Sequence, residues 1–181
     1  MKHLLILFFS IQTFFATAEC KVPDFSGFRS NDYSIEAPVF DKNPKLGFSF
    51  KFKSNKADGT LFIYDSGFPI GEQSLVKELE TGMVDIHKYW QLVDSEVRST
   101  ELYNIPESTY AHIQTIENAA YTVFAKDDVY WMEILAIGNI KGCYNKIRLS
   151  VGLDTHPSEG VMAFSLLANS INNTLLRSGY L

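Results

Sequence analysis

Over residues 46–53 apolar and polar side chains alternate, with Phe48, Phe50 and Phe52 on one side and Ser49, Lys51 and Lys53 on the other. That period of two predicts a half-buried strand. Turn-forming residues at 55–59 are followed by a β-branched and aromatic stretch at 60–65, so the two stretches read as a hairpin. After a loop carrying Gly67, Pro69 and Gly71 the period changes, and Leu75, Leu79, Met83, Ile86, Trp90 and Val93 recur at steps of three and four. This is a helix with one apolar stripe, and Lys77, Glu78, Asp85 and Lys88 fall on its wet side. Residues 97–103, 109–116, 121–126, 129–137 and 143–151 then read as strands. Between them lie turn-prone clusters such as Asn104-Ile105-Pro106, Asp127-Asp128 and Gly138-Asn139. A second helix opens at Pro157 or Ser158 with a stripe of Val161, Phe164, Ala168, Ile171 and Leu175, and Gly179 follows its last turn. Short connections favour antiparallel pairing. The expected fold is α+β: a mainly antiparallel sheet of about six strands covered by two helices.

Upstream of the hairpin the pattern is different. Lys2, an apolar run over residues 4–15 and the small residues Ala16-Thr17-Ala18 read as an export signal cleaved after Ala18. Ser10, Gln12 and Thr13 interrupt the run, which is shorter than the roughly 20 residues that span a bilayer, so no stable membrane span is expected after cleavage. Glu19 stands where a lipoprotein needs a small residue before its cysteine, which disfavours acylation of Cys20. Residues 1–18 are thus a signal, 19–45 an extended arm carrying Pro23, Pro38 and Pro44, and 46–181 a single α+β domain. The arm's Phe25, Phe28, Tyr33 and Phe40 are expected to lie against the body.

Composition narrows the class further. Removing the signal lowers Lys plus Arg from 16 to 15 against 21 acidic residues, which leaves a net charge of −6. Nucleic acid, whose binding needs clustered cations, is disfavoured. Cys20 and Cys143, the two cysteines, both lie in the exported part, where an oxidising space lets them pair. An intramolecular disulfide is the leading expectation; a buried thiol at Cys143 or pairing of Cys20 between chains are the alternatives. Absence of Cys-x-x-Cys spacing argues against a redox pair.

The Tyr64-Asp65-x-Gly67 loop, the amphipathic helix after it and the Lys146-Ile147-Arg148 strand before a final helix resemble small exported proteobacterial proteins of unassigned activity. They are also similar to the α/β/α sandwich of the PsbP and DcrB families, over roughly residues 46–176. The resemblance implies a binding or assembly factor without catalysis. The arm and Cys20 match no motif of those families.

Candidate chemistry is sparse. His87 sits on the flank of the first helix, and the positions three and four residues away hold Met83, Val84, Trp90 and Gln91, which offer no metal or acid–base partner. His112 lies in phase with Tyr110, Gln114 and Ile116 if 109–116 is a strand. Asp154, His156 and Glu159 gather at the entrance of the second helix, where capping explains them better than a cation does. Asp127-Asp128 lacks the alternating acids of a calcium loop. No nucleophile elbow, zinc motif, phosphate loop or dinucleotide fingerprint occurs, and no cofactor or metal is implied. Asn172-Asn173-Thr174 matches a glycosylation acceptor but falls on the second helix. The aromatic surplus is the remaining lead: Asp65, Tyr110, His112, Tyr130 and Trp131 are the candidate ligand-binding residues, on one exposed sheet face or in a groove beside the 65–71 loop. The expected function is a non-enzymatic binding or assembly role in a periplasm or outside the cell, with a protein or small ligand as partner. A small exported hydrolase with a site near His112 or His156 is the alternative.

Overall fold

The computed structural model describes residues 20–40, 47–65, 70–154 and 156–181. The predicted export signal, Gly67, Pro69, Thr155 and the junction at 41–46 lie outside the described residues. In chain order the elements are β1 (Ser34–Ile35), β2 (Val39–Phe40), β3 (Phe48–Lys53), β4 (Ala57–Asp65), α1 (Glu72–Val93), β5 (Arg98–Ser99), β6 (Tyr103–Asn104), β7 (Asn118–Lys126), β8 (Val129–Ile140), β9 (Cys143–Leu153) and α2 (Pro157–Arg177). The long strands form one open antiparallel sheet in the order β3-β4-β9-β8-β7. The fold is α+β, as the periodicity predicts.

An interior position in the sheet explains the nearly continuous apolar run of β8, since both of its faces are covered. Met132, Ile134 and Ala136 join the core beneath α2, whereas Leu135 and Ile137 join the core beneath α1. The helices therefore lie on opposite faces. From α2 the side chains of Phe164, Leu167, Ala168, Ile171 and Leu175 are buried, and Val161 is only half-buried. From α1 the buried side chains are Leu75, Leu79, Met83 and Ile86. Val93, expected in that stripe, is exposed, because the helix ends there and the Asp94 N–H closes back on the Trp90 carbonyl.

Residues 20–40 form a fitted layer. Phe25 packs on Phe50 with ring centroids 4.4 Å apart and Phe28 on Phe52 at 5.2 Å, each burial contributing about 2 kcal/mol. The Tyr33 hydroxyl donates to the Ala163 carbonyl of α2 at 3.1 Å, and burial, with Asp32 adding to it, pushes its phenol up to about 12. Cys20 is bonded to Cys143 at the start of β9. This settles the alternatives in favour of an intramolecular disulfide. The two-residue strands β1 and β2 run along the edge of β3, and β5 and β6 along the edge of β7, so neither long edge strand is left bare.

Three expected strands are corrected. Residues 97–103 are not one strand: Ser99 stands opposite Phe124 and Tyr103 opposite Tyr121, so four steps on one side meet three on the other. Thr100 absorbs the extra residue, its hydroxyl accepting from the Val123 N–H at 3.1 Å. Residues 109–116 form no strand but a chain of turns after a 3-10 turn at Glu107–Thr109. Tyr110, Ile113 and Ile116, three residues apart, point inward, and successive N–H groups reach back to Glu107, Tyr110 and Ile113. The period there is three, not two. Finally, β8 runs through Gly138-Asn139 to Ile140, and the reversal falls at Lys141-Gly142, both with positive φ. Gly138 belongs inside the strand because the Thr115 backbone passes over it, leaving a Cβ there only 2.3 Å from the Thr115 carbonyl oxygen.

Reducing the disulfide removes a covalent closure between residues 123 apart in sequence. Chain entropy sets the expected loss at about 4 to 5 kcal/mol. Urea denaturation of the oxidised chain and of Cys20→Ser should differ by that order, with faster amide exchange over residues 20–40 in the variant. Equal midpoints would mean that the aromatic contacts alone hold the arm.

Candidate functional site

The candidate residues do not assemble into one site. Tyr110 is buried below the 3-10 turn, its phenol raised by that burial and by Glu107. His112 points outward, and its Nε2 lies 3.0 Å from Asn169 Oδ1 on α2. Tyr130 is exposed near the β7–β8 turn, and Asp65 ends β4 opposite Cys143. Trp131 lies on the α1 side, stacked on Phe124 at 5.8 Å and near Trp90 at 4.9 Å, its Nε1 buried without a hydrogen-bond partner among the described residues. Other aromatics divide likewise, with Tyr121 packed against the α2-side core and Tyr144 in the α1-side core. No single aromatic face results.

The histidines are engaged in local structure. His87 Nδ1 lies 3.2 Å from Ser99 Oγ. His156 caps α2, accepting from the Ser158 N–H at 3.1 Å. Glu159 accepts from the Asp154 N–H at 3.2 Å, and Asp154 pairs with Lys56. Among the described residues no three His, Cys, Asp or Glu side chains gather as a metal site. Asn172 is buried and its Oδ1 accepts from the Gln114 N–H at 3.0 Å, which explains its place in the helix without glycosylation.

The most unusual chemistry lies under α1. Glu133, in the middle of β8, is 0 % exposed. A buried carboxylate needs donors, and two are supplied: Trp90 Nε1 donates to Oε1 and Arg148 Nε to Oε2, both at 3.1 Å. Arg148, from β9, keeps 36 % of its side chain exposed, and its guanidinium lies 5.9 Å from the ring centroid of Tyr89. Two residues earlier on the same face, Lys146 pairs with Glu78 of α1. Glu78 also accepts from the Tyr64 hydroxyl at 2.8 Å, and burial together with this carboxylate holds the Tyr64 phenol far above its ordinary range. Gly82 lets α1 settle this close, since a Cβ there would meet Leu135 Cδ2 at 2.5 Å.

α1 lies over β7 and β8 and reaches Tyr144 and Lys146 of β9 and Tyr64 at the end of β4; beyond these, no helix among the described residues covers the same face of β3 and the rest of β4. Strand register places its side chains in rows. Lys51, Thr60 and Arg148 stand opposite one another across three strands; Ser49, Phe62 and Lys146 form the row on one side, and Lys53, Asp58 and Ser150 the row on the other. Lys53 is paired with Glu36 at 3.1 Å. A separate groove of about 1020 Å³ lies on the other side of the molecule, between the arm, the β3–β4 turn and α2, with Lys56, Asp154, Met162 and Leu166 on its walls.

Sequence reading missed Glu133 and Arg148 as a pair. One acid inside the otherwise apolar run of β8 was the available signal, because such a residue in a central strand requires a cationic or N–H partner. Comparison with protein-family models, with curated proteins and with solved structures finds no match to this chain.

Arg148→Ala leaves Glu133 buried with the Trp90 indole alone, and should lower stability by about 3 kcal/mol. Lys51→Ala, on the same face without a buried partner, should change it by no more than about 0.5 kcal/mol. Urea melts compare the two. A loss under about 1 kcal/mol for Arg148→Ala would mean that Glu133 finds water or another donor.

Proposed function

We propose that this chain is an exported, non-enzymatic binding or assembly-type protein that engages its partner through the uncovered sheet face beside α1. The observation that carries this reading is the Glu133–Arg148 pair. Burying a carboxylate to hold a cation is a poor route to stability, since well-packed apolar residues do as well or better. It is an effective way to fix a guanidinium at the border of an open face, where a recognition surface needs it. The amino-terminal signal pattern and the Cys20–Cys143 bond support a periplasmic or extracellular setting. Among the described residues no helix is long and apolar enough to cross a membrane. The likeness to PsbP and DcrB sandwiches, in which helices flank a sheet, points the same way.

A hydrolase built on His112 or His156 is less well supported. The first imidazole is tied to Asn169, and the second caps α2, its Nδ1 accepting from the Ser158 N–H and lying 3.0 Å from the Ser158 hydroxyl, so the serine beside it belongs to the same helix cap.

The test is partner retention from native envelope or culture-fluid fractions by the oxidised protein, compared with Lys51→Glu on the open face and Met162→Glu in the groove. Loss of a specifically retained partner with the first variant and not the second supports the reading. Retention lost only with Met162→Glu moves the binding surface to the groove, and substrate turnover with no retained partner defeats the proposal.

A further inference from the structure

We infer that the row Lys51–Thr60–Arg148 is a carboxylate-binding site and that its occupant is an acidic segment of a partner polypeptide. This rests on the binding reading above and adds the chemistry of the partner.

Three acids around this face already have cationic partners: Glu133 holds Arg148, Glu78 holds Lys146, and Glu36 holds Lys53. Asp58 lies one row away, between Lys53 and Ser150, and Asp85 lies on the exposed side of α1 between Gly82 and Tyr89. The donors are less fully used. Arg148 bonds Glu133 through Nε, and no hydrogen bond among the described residues engages its two terminal nitrogens. Those two nitrogens form the edge of the guanidinium that grips a carboxylate through parallel bonds. The Lys51 ammonium is exposed and has no ion-pair partner among the described residues. Thr60 stands between the two cations with its hydroxyl on the same face.

Two strand spacings separate Lys51 from Arg148, roughly 10 Å between backbones. That leaves room for one carboxylate on the guanidinium and a second on the ammonium, with Thr60 donating between them. Same-side residues of an extended segment recur at roughly 7 Å, so alternate acidic residues suit the spacing once the long side chains lean inward. The stretch of sheet without a covering helix among the described residues also offers a polypeptide a surface to lie along, with Phe62 and Tyr89 as apolar borders. The net charge of −6 after signal removal opposes dense polyanions such as a nucleic acid or an anionic bilayer most strongly at long range, and a segment with few, spaced carboxylates least.

The test is an NMR titration of isotope-labelled oxidised protein with three probes: a capped octapeptide of alternating Glu and Ala, the matching Gln-Ala peptide, and inorganic phosphate. The Glu peptide should saturably shift the Arg148 Nε–H signal and the amides of Lys51 and Thr60. Its affinity should fall at least tenfold in Lys51→Glu, fall in Thr60→Val, and weaken between 50 and 200 mM salt. Amide spectra of both variants report that they remain folded. Equal binding of the Gln peptide, absence of shifts on this row, or phosphate binding as tight as the Glu peptide would each overturn the proposal. If the peptide is inert yet Lys51→Glu still abolishes partner retention, the binding face stands and only its carboxylate chemistry is wrong. If retention survives as well, the face itself is not the binding surface.

Discussion

A carboxylate sealed inside β8, an interior strand of the sheet, is the constraint around which one half of this molecule is arranged. Glu133 sits where the sheet is covered on both faces, and its charge is tolerable only because an indole from α1 and a guanidinium from β9 reach it together. Those donors come from different elements. The pair therefore fixes α1 against β8, with Gly82 permitting the close approach, and holds Arg148 beside the helix instead of letting it swing into solvent. Lys146 and Glu78 repeat the arrangement one row along. With α1 held over β7 and β8, no helix among the described residues covers this face of the strands on the far side of Arg148.

The other half is built by different means. Apolar burial dominates beneath α2, where Phe164, Leu167, Ile171 and Leu175 meet the odd-numbered side chains of β9 and the phenylalanines of β3. The arm completes that layer with Phe25, Phe28 and Tyr33, and the disulfide anchors its first described residue to β9. One face is therefore sealed with hydrocarbon and a covalent tie. The opposite face is closed with ion pairs and left partly open, a division that suits a body with one working surface.

Much of the fold was legible because its signals are local. The alternation of Phe48, Phe50 and Phe52, the three-and-four spacing from Leu75 to Ile86, and the Pro157 start of α2 each report a periodicity that the backbone obeys. Residues 109–116 misled because Tyr110 and Ile116 fit a period of two, while Ile113 reveals the period of three that the turns follow. Gly138 resembled a turn residue because the neighbouring Thr115 backbone that requires it is distant in sequence. The candidate site was less legible for the same reason. Trp90, Glu133 and Arg148 lie on three elements, and only topology joins them; Tyr110, His112 and Tyr130 were reasonable as residue types but are dispersed by the fold.

The central claim is that Glu133 and Arg148 are kept for recognition and not for stability. Replacing both, as Glu133→Leu with Arg148→Met, removes the buried charge and its partner together. The decisive measurement is urea stability of this double variant alongside retention of the partner. The account predicts stability equal to or above that of the parent and loss of binding. A large loss of stability with partner binding intact would contradict it.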